Sequence, residues 1–251
     1  IAGGFDCIKI DPNPEIARKI ARTEMDEYGD PLLSWMIPVR TGVFKTAINY
    51  GVKLIMWGED GEVEYGGLTD SQYTPFHDRN YELEILLSGR NPERYLNRFA
   101  SKELYYWLFP SQEEYDNAEI ANMHFNYFDP WDQYGNYMLA KEKFGMQEKK
   151  GRNLGTFTNF AQTDTSMFEL HTYFMYLKFG FGRCTSDACI DVRRGAMDRS
   201  QAVNLIAKFD NCYPEPYVAE YLDYMQISLE EFEAAIDRHA NKKLFEKKVG
   251  F

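Results

Sequence analysis

Between Gly51 and Gly58 the chain runs Val52-Lys53-Leu54-Ile55-Met56-Trp57, apolar at every position but one. A strand with one wet face alternates apolar and polar residues, whereas an unbroken apolar run of this length belongs to a strand covered on both faces, as in parallel sheets. Just upstream, Val43, Phe44, Ala47 and Ile48 recur at helical spacing, and the helix stops at Gly51. Earlier still, Cys7-Ile8-Lys9-Ile10 reads as a strand ending at Asp11. Asn13 then caps a helix with Pro14 at its first position, Ile16, Ala17, Ile20 and Ala21 on one face, and Gly29 and Pro31 beyond its end. Strand, helix, helix, strand with short joints predicts a parallel crossover sheet, with Met123 to Phe128 as a further strand closed by Asp129-Pro130.

The remainder reads as helical. Asn91-Pro92-Glu93 and Ser111-Gln112-Glu113-Glu114 are helix starts, the second a capping box. Helices over Tyr134–Phe144 and Ser166–Phe179 end at Gly145 and Gly180, the residue type that C-terminal caps prefer. Asp198 with Gln201 opens another helix, and Ser228 with Glu231 a last one, stapled by Ile227 and Phe232. The fold class expected is therefore α/β, residues 1–132 forming part of a parallel-sheet domain and residues 133–251 a helical substrate or assembly region. Three parallel strands make a poor sheet alone, so the missing strands are expected upstream of Ile1, where the sequence opens without an initiator Met.

Composition narrows the function. With 18 Tyr, 18 Phe and 4 Trp, the 251 residues carry ample apolar area to fold. A net charge of −11 (39 acids, 28 bases) repels a phosphate backbone, which argues against a nucleic-acid partner. No apolar run approaches the roughly 20 residues that cross a bilayer, and no secretion signal is present. Cys7, Cys184, Cys189 and Cys212 are too sparse for a disulfide framework and read as reduced thiols of a cytoplasmic protein.

Ligands of open parallel sheets bind beyond the carboxyl ends of the strands. Two acidic clusters fall there: Gly58-Glu59-Asp60-Gly61-Glu62-Val63-Glu64 after the first strong strand, and Asp129-Pro130-Trp131-Asp132 after the later one. Carboxylates at such a mouth suit Mg²⁺ with nucleotide phosphates, or a polar substrate; the plainer reading is a solvated turn. A third candidate is Gly180-Phe181-Gly182-Arg183-Cys184-Thr185-Ser186-Asp187-Ala188, where Arg183 offers a planar fork to an anion, and Thr185, Ser186 and Asp187 either cap the next helix or bond sugar hydroxyls. A zinc site built on Cys184 and Cys189, with Cys212 and His171 as completions, has the wrong spacing, so no metal ligand is assigned. His77, His124 and His239 stand isolated in sequence, His124 as a core histidine in a strand and His239 in the last turn of a helix.

Three blocks in register, the one from Trp57 to Gly67, Tyr127-Phe128-Asp129-Pro130-Trp131-Asp132, and the one from Lys178 to Ala188, together resemble the N-acetyl sugar amidotransferases. These are PP-loop ATP-pyrophosphatase relatives of the adenine nucleotide alpha-hydrolase-like fold, used in bacterial surface-sugar synthesis. The likeness runs from near Cys7 to about residue 240, and Gly155-Thr156-Phe157-Thr158-Asn159-Phe160-Ala161-Gln162-Thr163-Asp164-Thr165 resembles the branch acting on pseudaminic-type nonulosonic acids. The family's Ser-Gly-Gly-x-Asp-Ser phosphate loop and its paired Cys-x-x-Cys motifs do not occur in this sequence, so the chain is read as the C-terminal two-thirds of such an enzyme, with zinc, where present, in the upstream part.

The resemblance implies that ATP with Mg²⁺ activates the amide oxygen of an N-acetylated sugar or sugar nucleotide. Ammonia, supplied by a glutaminase partner, then converts the group to an acetamidino group for nonulosonic acid or O-antigen synthesis. It assigns Gly58, Glu59 and Asp60 to nucleotide or metal, with Glu59, Asp60 and Asp129 at the reacting centre. Glu62, Glu64, Trp131, Arg183, Thr185 and Asp187 fall to the sugar. Two other readings differ in class: a PP-loop relative acting on tRNA, which the acidic charge disfavours, and a non-catalytic sugar-binding or assembly module.

Overall fold

The computed structural model describes residues 3–58, 74–129 and 131–246. The chain divides into two compact units: Gly3–Ala17 with Leu33–Trp131, and Arg18–Leu32 with Asp132 onward.

In the first unit, helix α1 (Pro14–Tyr28) begins where the sequence places it, with the Asn13 side chain accepting from the Glu15 amide at 2.9 Å. Residues 7–10, expected to form a strand, do not pair. Cys7 and Ile8 are exposed, and only Ile10 packs inward, its Cδ1 so near Gly42 that a Cβ there would lie 3.1 Å away. Helix α2 (Leu33–Tyr50) starts ten residues before the apolar pattern at Val43 and carries Pro38 in its interior. Proline removes the N–H that would bond the Ser34 carbonyl. The buried Trp107 indole takes its place, donating to Ser34 O at 2.9 Å, so the break in the ladder is filled from outside the helix.

Strand β1 (Leu54–Trp57) follows, then a short helical segment Arg79–Tyr81 that widens into a π-helical turn over Glu82–Leu86. Next come a 3₁₀ turn over Pro92–Asn97, helix α3 (Gln112–Ala118) and strand β2 (Ala121–His124). Among the described residues the sheet has two strands, β1 and β2, parallel, with Leu54 opposite Ala121 and Trp57 opposite His124. The outer side of β2 receives one antiparallel bridge, Phe76 to Met123, and the His77 amide donates to Asn122 O at 2.8 Å. The strand expected at 123–128 therefore sits two residues earlier, and Phe125–Tyr127 turns as a 3₁₀ helix with Phe125, Tyr127 and Phe128 exposed. Phe44 and Ala47 of α2 pack against Ile55, Trp57 and Ile120 to form this unit's core.

The second unit is helical: α4 (Gln133–Phe144), α5 (Met167–Phe179), α6 (Arg183–Arg193), α7 (Arg199–Phe209), α8 (Val218–Met225) and α9 (Leu229–His239). The capping boxes at Ser111, Asp198 and Ser228 all form as read from sequence. Residues 18–32, expected with the α/β part, belong here, because Met25 is buried among Leu170, Phe174, Tyr221, Met225 and Phe232. His239 does more than complement a helix end: its Nε2 meets the Asp26 carbonyl at 2.9 Å and its ring abuts Phe174 edge-on.

Gly29 and Gly51 both hold left-handed backbone (φ 62° and 65°), but a Cβ on Gly29 would lie 2.9 Å from the His239 ring, whereas Gly51 faces open space. Gly51→Ala is expected to cost about 1–2 kcal/mol of stability from backbone strain alone. Gly29→Ala should cost at least about 1 kcal/mol more, since overpacking adds to the strain. Urea midpoints of the two variants check the difference; equal losses would mean His239 yields freely.

Candidate functional site

Parallel register fixes one edge of the sheet as a common exit. Trp57 and His124 end their strands side by side, so the chain after each leaves the same edge. Gly58 is exposed there, while Glu59, Asp60, Glu62 and Glu64 lie outside the described residues. Asp129 is exposed beyond the turn that follows β2, and Trp131 is half-buried with its indole nitrogen lacking a hydrogen-bond partner among the described residues.

Behind this edge lies a buried polar network that sequence reading missed. Arg40 of α2 donates to both oxygens of Glu82, from Nε at 2.8 Å and Nη2 at 3.0 Å, and its guanidinium sits 3.7 Å from the centre of the Trp57 ring. The Asn122 amide donates to Glu82 Oε1 (2.9 Å) and to the His77 carbonyl (3.1 Å), and its oxygen accepts from Trp57 Nε1 (2.6 Å). Glu82 is wholly buried. One bidentate ion pair thus joins α2, the π-helical turn, β1 and β2. His77 and His124, isolated in sequence, are both buried with ring centroids 4.8 Å apart, and Tyr81 lies 4.1 Å from His77. Little in the local sequence marks Glu82, which borders Leu83-Glu84-Ile85-Leu86-Leu87; its partner stands 42 residues away.

The second unit holds the other expected residues. Arg183, Thr185 and Asp187 do not precede a helix but stand in the first turns of α6, whose N-cap is Gly182. The cap comes from a distant residue: Asp210 accepts from the amides of Gly182 (2.8 Å) and Thr185 (3.0 Å) and from the Thr185 hydroxyl (2.7 Å). Gly182 is required for this approach, since a Cβ would lie 2.9 Å from Asp210 Oδ1.

Arg183 and Asp187 are buried and face the chain between α4 and α5. Asp187 Oδ2 accepts from Thr156 Oγ1 (2.5 Å) and Thr158 Oγ1 (3.4 Å), and Arg183 Nη2 donates to the Ala161 carbonyl at 2.6 Å. Arg183 also lies 3.6 Å from Glu169, which takes Lys149 Nζ at 3.2 Å. In this arrangement Arg183 and Asp187 hold the 149–161 segment rather than face solvent.

Cys184 is buried, its thiol pushed up to about 12 by burial and by the charges of Asp210 and Asp187, and His171 pairs with Asp30 at 2.9 Å. Among the described residues no group of three metal-capable side chains converges. No described helix is long and apolar enough to cross a membrane.

Residues 154–251 match the family described as LPS biosynthesis protein WbpG-like, C-terminal domain. This region, which carries α5 to α9 and the Arg183–Asp187 cluster, is thereby similar to a domain of LPS biosynthesis. No curated protein matches the chain.

Glu82→Gln is expected to lower stability by about 3 kcal/mol or more, because it strands a buried guanidinium. The double variant Arg40→Met with Glu82→Gln should recover part of that loss, which a double-mutant cycle in urea would measure. A simple sum of the two single losses would mean that the pair does not act as a unit.

Asp187 gives a pH prediction. Burial raises its pKa above the ordinary 3.8, opposed by Arg183 and the hydroxyls of Thr156 and Thr158 and aided by Asp191. A carboxyl raised in the folded state contributes stability below its unfolded pKa and loses it as pH climbs through the folded value. Asp187→Asn, which removes the titration, should therefore compare increasingly well with the unmodified protein as pH rises from about 4 towards neutrality. Denaturation midpoints across that range decide it; a gap that moves the other way would show that the Arg183 charge outweighs burial.

Proposed function

We propose that the chain is the C-terminal part of an ATP-dependent N-acetyl sugar amidotransferase of bacterial surface-glycan synthesis, converting an N-acetyl to an acetamidino group. The observation that carries this reading is the parallel pairing of Trp57 with His124, so that Gly58 and Phe125, the residues leading on to the two blocks of the resemblance, leave the same sheet edge. The match of residues 154–251 to a WbpG-like LPS-biosynthesis domain supports the setting in glycan synthesis.

An acetamide carbon is a weak electrophile and its oxygen a poor leaving group; ATP would supply the activation that makes that oxygen leave. The described residues do not make a triphosphate cradle. The α6 N-terminus already holds the Asp210 carboxylate, and the exposed acid at the sheet edge, Asp129, repels phosphate. No step is therefore assigned to nucleotide contacts by these residues, and Glu59 and Asp60 remain proposed contacts through the resemblance alone. Asp129 would orient the substrate amide or the incoming ammonia by accepting an N–H, and Trp131 would line the same mouth. Arg40, Glu82 and Asn122 would hold the edge rigid enough for that positioning. Arg183, Thr185 and Asp187 would serve the sugar indirectly, by shaping the 149–161 segment.

A non-catalytic sugar-binding role is the second reading, favoured by the exposed rings of Tyr127 and Phe128, 5.3 Å apart at the same edge.

The full-length protein, supplied with ATP, Mg²⁺, an ammonia source and a panel of N-acetylated sugars, should release AMP only when a sugar is present. Asp129→Ala should lower that rate about a hundredfold with the fold intact. Sugar binding without AMP from any member of the panel would favour the second reading.

A further inference from the structure

On the outer side of β2 lies a cavity of about 430 Å³ whose walls include Phe76, His77, Asp78, Tyr81, Tyr115 and Asn122. That volume is in the range of small-molecule sites. Its polar floor is already committed: the His77 carbonyl accepts from the Tyr115 hydroxyl (3.2 Å) and the Asn122 amide (3.1 Å). Asp78 is exposed at the cavity, one of its oxygens accepting from the Tyr81 amide (2.7 Å). Arg40 is bound sideways by Glu82, and Arg79, next to Asp78, is engaged with the Pro110 carbonyl at 2.7 Å. Burial, and then the charges of Glu82, Asp78 and Asp116, push the Tyr115 hydroxyl up to about 12.

Aromatic walls with one carboxylate repel a phosphate or a sugar acid and attract a cation. Their apolar character favours a cation that sheds water easily, which a delocalised planar ion does more readily than a compact ammonium. We propose that this cavity receives a planar nitrogen cation, an amidinium or guanidinium group, with Asp78 as its counter-ion. Resting on the function proposed above, its occupant is the acetamidino group which that reaction makes. The substrate acetamide is neutral and the product amidinium is charged, so the cavity distinguishes one from the other by charge at nearly equal shape.

The test titrates the protein with acetamidinium, the neutral isostere acetamide and ammonium at constant ionic strength, following ligand methyl signals by saturation transfer and heats by calorimetry. Acetamidinium should bind at least about tenfold more tightly than either comparator, the scale of a single charge-assisted contact. Asp78→Asn should abolish that preference while leaving the urea midpoint unchanged, because asparagine caps a helix as well as aspartate does. Phe76→Leu should weaken acetamidinium and leave acetamide alone.

Equal binding of acetamide, tighter binding of ammonium, or indifference to Asp78→Asn would each overturn the assignment. If AMP forms but acetamidinium does not bind, the cavity assignment alone falls. If acetamidinium binds but no sugar yields AMP, the cation site stands and the reaction falls; competition by arginine amide would then identify a guanidinium source.

Discussion

The first unit depends on one buried charge. Arg40 on α2 is 8% exposed, and its guanidinium is held by Glu82, itself 0% exposed, and by the face of Trp57. An unpaired guanidinium at that depth would cost several kcal/mol, so each partner must be delivered in place. That requirement accounts for the local oddities around it. The helix after Asp78 widens by one residue into a π-helical turn at Glu82–Leu86, the kind of bulge that re-aims a side chain. Asn122 occupies an interior strand position where an apolar residue would pack more cheaply, because both ends of its amide are used. With the Trp57 indole donating to Asn122 and Asn122 donating to the Glu82 carboxylate, neither strand can slip against the other without breaking this chain of bonds.

The second unit repeats the logic at a helix end. α6 starts at a glycine with no side-chain cap of its own, and its first amides are satisfied by Asp210 from the end of α7. Arg183 and Asp187, one turn apart on α6, then reach the 149–161 segment, fixing a stretch without regular structure through side-chain bonds. Buried polar groups that are mutually satisfied specify one arrangement and penalise others.

Legibility from sequence followed distance along the chain. Capping boxes at Ser111, Asp198 and Ser228 involve residues three apart and were readable, as were the glycine stops at Gly51, Gly145 and Gly180. The apolar run at 52–57 announced β1 but not its burial: Ile55 and Trp57 point into the core, whereas Leu54 and Met56 are exposed. What failed was set by remote partners. Cys7–Ile10 has strand composition but no ladder to join among the described residues. The sequence pattern starts β2 two residues late because Asn122 looks polar until Glu82 and Trp57 are seen beside it. The start of α2 was hidden by Pro38, harmless only because Trp107 lies 73 residues away to satisfy Ser34. Thr185 and Asp187 looked like caps because the true cap is 28 residues beyond Gly182.

These two networks constrain where an anionic substrate can be read. In the second unit the amides that would suit a phosphate already hold Asp210, and the guanidinium that would suit a carboxylate is walled in by Glu169, Asp187 and the Ala161 carbonyl. Reaching Arg183 would require the 149–161 segment to give up the Thr156–Asp187, Ala161–Arg183 and Lys149–Glu169 bonds, while Arg183 stays beside both Asp187 and Glu169. A guanidinium already neutralised by two carboxylates offers little to an arriving anion, so this cluster acts on the segment it holds rather than on a ligand.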